Sequence, residues 1–126
     1  MNNSIVFWEL ASHDQEKSVQ FFRDVFGWQI SFDDKLGFYT VDQEGSCGGP
    51  LDGGIFTLRK AKLPFLTLYI QVEDIDKKAE EVTAAGGFIV EEPFRISERS
   101  KICIFNEPSG VAFGMIERIS SDAPKT

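Results

Sequence analysis

Apolar positions along the chain switch between a period of two and a period near 3.6, and they do so twice in the same order. Ile5 to Leu10 is a short β-branched and aromatic run that predicts a strand. Val19, Phe22 and Phe26 then fall three and four apart, the stripe of an amphipathic helix that Gly27 stops. Ser12 or Asp14 can cap that helix, and Ser12 with Gln15 fits a capping box. Trp28–Phe32 and Phe38–Val41 predict paired strands across Asp33–Gly37. A Gly45–Gly49 loop and a strand over Leu51–Leu58, loosened by Gly53 and Gly54, complete the first half. After an Arg59–Pro64 linker, Phe65–Val72 predicts a strand and Asp74 a cap, with Ile75, Ala79 and Val82 as the helix stripe. Gly86-Gly87 ends that helix, and Phe88–Val90, Lys101–Phe105 and Val111–Glu117 predict three more strands. Glu91–Ser100 reads as a longer loop, Asn106–Gly110 as a turn and Ser120–Thr126 as a frayed polar tail.

The two halves are copies offset by 60 residues. Asp14 to Gly27 falls on Asp74 to Gly87, so that Lys17 meets Lys77, Val19 meets Ala79 and Phe22 meets Val82. The offset persists beyond the helices, because Gly54 falls on Gly114 and Phe7 on Thr67. Each unit is strand-helix-strand-strand-strand. Halves of about sixty residues are marginal alone, so one domain over 1–126 is expected. Its first module runs from about 4 to 58, its second from about 65 to 118, and 119–126 is the tail. Two copies of one unit usually close around a cleft, where a ligand sits.

Composition narrows the partners. The formal charge of -7 argues against a nucleic-acid backbone or an anionic membrane surface. Arg59, Lys60 and Lys62 form the one basic cluster and read as a solvated linker. No apolar run is long enough to span a bilayer, and no signal peptide opens the sequence. Cys47 and Cys103 make no zinc spacing, which fits reduced thiols in the cytoplasm.

The pieces in their order resemble the vicinal oxygen chelate superfamily, the fold of glyoxalase I, bleomycin-resistance proteins and extradiol dioxygenases. They are Phe7-Trp8-Glu9-Leu10, Ser18 to Gly27, Gly53-Gly54-Ile55-Phe56, Val72-Glu73-Asp74-Ile75 and the Asn106 to Gly110 turn. The resemblance runs from about Ile5 to Glu117. It implies an α+β fold, with two tandem βαβββ modules forming one curved eight-stranded mixed sheet around a cleft and helices outside. It also implies a homodimer. Catalytic relatives hold a divalent metal through His and Glu on the first and last strands of each module. Carried over, those positions fall on Phe7, Gly53 or Gly54, Thr67 and Gly114. None is a metal ligand, and the chain has one histidine, His13, so no metal and no cofactor is expected.

Strand alternation puts Ile5, Phe7 and Glu9 on one face, and Thr67, Tyr69 and Gln71 on the matching face of the second module. Glu9 is a carboxylate in an apolar strand, which is costly unless it is paired. It either meets a cationic or hydroxyl group of a ligand, or acts as a base, or pairs with Tyr69, Gln71 or a backbone amide and fixes the cleft floor. Phe7, Trp8, Phe56 and Tyr69 could wall a flat apolar ligand, although most of twelve phenylalanines will fill core. Gly53, Gly54 and Gly114 could leave room for a ligand or mark strand bends. Cys47 lies in a glycine-rich loop with no activating partner, and His13 reads as an exposed loop residue.

The first functional reading is a metal-independent small-molecule binder, with Phe7, Glu9, Gly54, Phe56, Thr67, Tyr69 and Gly114 lining the cleft. The second is a metal-dependent lyase, isomerase or dioxygenase using ligands such as Glu9, Asp52 and Glu117. The third is a partner-binding module with a filled cleft. Independently of these readings, the Glu91–Ser100 loop, with Arg95 and Arg99, could act as a lid over the cleft.

Overall fold

A computed structural model describes residues 3–42, 51–58 and 63–119. The chain divides into two packed units. One is Val6–Leu68; the other runs from Tyr69 onward and includes Ile5. The elements in order are β1 (Ile5–Ser12), α1 (Gln15–Phe26), β2 (Ser31–Asp33), β3 (Phe38–Val41) and β4 (Asp52–Thr57). They are followed by β5 (Phe65–Gln71), α2 (Ile75–Ala84), β6 (Phe88–Ser97), β7 (Ser100–Asn106) and β8 (Ala112–Arg118). Each half therefore reads βαβββ. The strand order is β2-β3-β4-β1 in the first half and β5-β8-β7-β6 in the second. β1 pairs with β4, and β5 with β8, in parallel, while the remaining pairings within each half are antiparallel. The class is α+β with mixed sheet, as the sequence predicts.

The 60-residue offset is written into the hydrogen bonds. Lys17 N donates to Asp14 Oδ1 (3.3 Å) and Lys77 N to Asp74 Oδ1 (3.1 Å), so aspartate caps both helices. Gln15 N donates to Thr57 Oγ1 (3.0 Å) and Ile75 N to Glu117 Oε1 (2.9 Å). In each unit the end of the closing strand thus anchors the first turn of the helix. Of the two cap candidates for α1, Asp14 holds the position. Ser12 instead accepts from Asp14 N (3.0 Å) and shares a hydrogen bond with Ser18 Oγ (2.6 Å), so the Ser12–Gln15 capping box does not form.

Each helix buries one stripe against its own sheet. In the first unit Val19, Ile30, Val41 and Ile55 form the core, with Trp8, Leu10, Phe22, Trp28 and Tyr39 packed on it. In the second, Val72, Ile75, Ala79, Cys103, Phe105 and Met115 do so, with Ile70, Val82, Ile89 and Phe113 around them. The stripe predicted for α1 fails at its last member, because Phe26 is 55% exposed. Trp28 takes the place beside Phe22, its ring stacked at 4.7 Å. That explains a second departure: the strand expected over Trp28–Phe32 begins only at Ser31, since Trp28 and Ile30 are used as core-filling loop residues.

Glu91–Ser100 is not a loop. Most of it belongs to the ten-residue strand β6, which pairs with β7 through register shifts at Ile89/Glu91, Glu91/Phe94 and Arg95/Ser97. Those irregularities break the alternation that marks a strand, and Pro93 and the charges suit an edge. The lid reading falls with the loop, and Arg95 Nη1 donates to Glu98 O (2.8 Å) across the tight turn into β7. The turn before β8 is held by Glu107, whose carboxylate accepts from Ser109 Oγ, Ser109 N (2.9 Å) and Val111 N (2.8 Å). Those donors, the Ser109 hydroxyl first, hold the Glu107 carboxyl below its ordinary value. Burial pushes the Cys103 thiol up to about 11. The Gly45–Gly49 loop with Cys47, the basic residues Arg59, Lys60 and Lys62, and the tail from Ser120 lie outside the described residues.

Candidate functional site

Because Trp8 and Leu10 pack with α1, alternation turns Phe7 and Glu9 to the opposite face of the first-unit sheet. The parallel register sets Glu9 beside Gly54 and Phe7 beside Asp52 on β4. Of Gly53 and Gly54, the second lies on the face of Phe7 and Glu9. A Cβ on Gly53 would fall inside the Trp8 indole on the helix side. A Cβ on Gly54 would lie 3.3 Å from Phe7 Cζ and 3.2 Å from Phe38 Cε1 on the face turned away from α1.

Phe38 is the residue that sequence reading missed. Tyr39 and Val41 of β3 point into the α1 core, which leaves Phe38 and Thr40 on the Gly54 face. Thr40 is in register with Gly54, and the Phe38 and Phe56 rings stand 6.3 Å apart. The neighbouring strands β1 and β3 thus bring Phe7 and Phe38 over Gly54 of β4, with Phe56 of β4 beside Phe38. Phe7, Glu9, Phe38, Asp52 and Phe56 are all half-buried. Only the strand pairing, which no local pattern encodes, assigns Phe38 to this group.

The second unit repeats the plan with different chemistry. Ile70, Val72, Phe113 and Met115 face α2, so Tyr69 and Gly114 lie on the other face, directly in register. A Cβ on Gly114 would overlap the Tyr69 ring, and Tyr69 is 3% exposed. Tyr69 occupies in this unit the position that Glu9 has in the first, as the 60-residue offset requires. Thr67, on the same strand but within the Val6–Leu68 unit, is buried.

The other candidates separate from this set. Trp8 belongs to the α1 core and walls no ligand face. His13 is exposed in the connection between β1 and α1. Glu117 anchors α2 from the helix side, so it does not join Glu9 and Asp52, which share a face of the first unit.

The positions onto which the resemblance carries the metal ligands hold Phe7, Gly54, Thr67 and Gly114. The Phe7 and Phe38 rings approach Gly54, and the Tyr69 ring covers Gly114. Phenylalanine and glycine offer no side-chain donor and a neutral threonine hydroxyl is a weak one, so these residues do not fit a divalent metal. Among the described residues no group of three His, Cys, Asp or Glu is placed to hold a metal ion. No helix among them is long and apolar enough to cross a membrane.

The sequence model of the Glyoxalase/Bleomycin resistance protein/Dioxygenase superfamily matches residues 4–115. "Putative glyoxylase CFP32" of Mycobacterium tuberculosis is 23% identical over 111 residues, which are 85% of this chain and 42% of that protein. The chain therefore spans about two-fifths of the length of the curated relatives it matches. Among solved structures, a variant of Streptomyces coelicolor methylmalonyl-CoA epimerase in complex with 2-nitronate-propionyl-CoA is similar, with a TM-score of 0.64 and 16% identity. That likeness covers 95% of this chain and 100% of the epimerase. A superfamily member from Vibrio splendidus 12B01 has a TM-score of 0.61 and 21% identity, over 92% of this chain and 98% of its own. At such identities the likeness is one of fold.

Proposed function

The chain belongs to the glyoxalase/bleomycin resistance protein/dioxygenase superfamily, and on that premise we propose that it is a metal-independent small-molecule binding protein. The observation that carries this reading is the approach of Phe7 and Phe38 to Gly54, with the Phe56 ring 6.3 Å from that of Phe38 and Glu9 in register beside the glycine. A partly exposed aromatic floor with one placed carboxylate has the composition of a small-molecule site. The metal positions of the family meanwhile carry no donor set. The ligand belongs to the neutral or cationic classes that a charge of -7 admits. We place the protein in the cytoplasm as a homodimer, a state that light scattering tests directly. The alternative is a lyase, isomerase or dioxygenase with non-standard ligands. It draws on Glu9 and Asp52 sharing a face.

A thermal-shift panel of metabolites, aromatic compounds and divalent metals separates the two readings. A ligand present at a thousand times its dissociation constant adds about 4 kcal/mol of stability. Stabilisation by organic compounds in the presence of a chelator is the expected result. Stabilisation by a transition metal alone would overturn the metal-independent reading.

A further inference from the structure

Resting on the homodimer of that reading, we propose that the exposed face of α1 formed by Lys17, Phe21, Asp24 and Val25 packs antiparallel against the same face of a second copy of this chain. The internal repeat provides the comparison. α1 and α2 hold equivalent places in their own units, and each turns one stripe to its core. In α2 the position equivalent to Phe21 is Glu81, which accepts from Lys78 Nζ (3.0 Å), and the position equivalent to Val25 is Ala85. A helix in this place is therefore complete with charged and small residues toward water. α1 instead presents Phe21, 53% exposed, and Val25, 58% exposed. The Phe21 ring meets Phe22 edge-on at 5.2 Å and Phe26 at 6.2 Å, so the apolar surface is continuous from the core stripe outward. A contiguous apolar patch, unlike scattered single residues, marks an interaction face.

Charge selects a second copy as the occupant. Lys17 lies four residues before Phe21 and Asp24 three after it, on the same side of the helix, and both are exposed. Lys17 stands in the first turn of α1 and Asp24 in the last, each at the end that its own helix dipole disfavours. A two-fold axis near Phe21 brings the partner's Asp24 beside Lys17 and the partner's Lys17 beside Asp24. Each charge then also lies at the end of the opposite helix that favours it. A carboxylate keeps acceptor capacity beyond the one bond that Asp24 takes from Gln20 Nε2 (2.7 Å). α1 carries Glu16 and Asp24 against Lys17 and Arg23, so two copies meet at a neutral helix although the chain carries -7. A strongly charged partner finds no complementary field there. With 12 residues α1 is about 18 Å long, which gives an interface at the small end of specific ones and a reversible dimer.

Sedimentation of the full chain across a wide range of concentration tests this. A monomer–dimer equilibrium is expected. Phe21→Ser is expected to weaken it at least about tenfold, equivalent to about 1.4 kcal/mol. Lys17→Asp and Asp24→Lys serve as variants that keep the fold, because each suits its own helix dipole better than the parent residue, and the melting temperature should hold. Each nevertheless sets like charges together across the two-fold axis and is expected to weaken association. An equimolar mixture of these two variants is expected to regain it, since both contacts between unlike chains again join opposite charges. Charge variants that weaken the dimer without recovery in the mixture overturn the antiparallel pairing. A dimer unchanged in all three variants lies on another face, so the inference falls and the homodimer stands. A parent chain that stays monomeric throughout leaves the face to another occupant and removes the homodimer as well. Small-molecule binding, read by the thermal-shift panel, is independent of each of these outcomes.

Discussion

Adding one methyl group at adjacent glycines should have opposite consequences, because the two positions face opposite sides of β4. At Gly53 the new Cβ of an alanine falls inside the Trp8 indole. Trp8 is held on the α1 core beside Trp28, with ring centroids 5.8 Å apart, so it has little room to retreat. Overpacking of this kind costs about 1–3 kcal/mol. The smaller unfolded-state entropy of alanine gives back roughly 0.4–1 kcal/mol where the backbone is compatible. Gly53→Ala should therefore lower stability by about 1–2 kcal/mol, and each kcal/mol moves the melting temperature of a domain this size by about 4 °C. At Gly54 the neighbours are the tips of two half-buried rings at 3.2 and 3.3 Å, which need give by only a few tenths of an ångström. Gly54→Ala should stay within about 1 kcal/mol of the parent, since the same entropy gain offsets the crowding. It should nevertheless weaken ligand binding. Urea denaturation of both variants measures the difference. In a Trp8→Leu background, where the indole is gone, the cost of Gly53→Ala should shrink, which a double-mutant cycle reads directly. Equal stability of the two single variants would refute the assignment of faces on which the site depends.

Glu117→Ala should cost about 1 kcal/mol by leaving the Ile75 N–H without its acceptor, and Glu117→Gln should cost less because it keeps an oxygen there; chemical denaturation reports both. Glu107 has a folded-state pKa below its ordinary value, so its carboxylate stabilises the fold above the unfolded pKa, and that contribution is lost as pH falls through the folded one. Stability measured from neutral to acid pH should accordingly decline less steeply in Glu107→Gln than in the parent.

The helices were legible because their signals are local, although the cap of α1 stayed open between Ser12 and Asp14 until the structure gave it to Asp14. Asp14 and Asp74 sit one residue before the α-helical segments, and the apolar stripes carry the 3.6 period through Val19, Ile75 and Ala79. What the pattern could not supply was pairing. β6 is hidden in the sequence by register shifts that destroy its alternation, and Trp28 and Ile30 are apolar without being strand. The same limit governs the candidate site. Phe7, Glu9 and Tyr69 follow from alternation along one strand. Phe38 required knowing that β3 lies against β4. Trp8 adjoins Phe7 and Glu9 in sequence but faces the opposite side. The choice between Gly53 and Gly54 likewise depended on which side of β4 the indole occupies.

The most direct test of the central claim is to map the best-binding compound of the thermal-shift panel onto the amide spectrum, with and without a chelator. Chemical-shift changes centred on Glu9, Gly54 and Thr40, unaffected by the chelator and lost in Glu9→Gln, are the predicted result. Changes confined to the α1 side of the sheet, or binding abolished by the chelator, would contradict it.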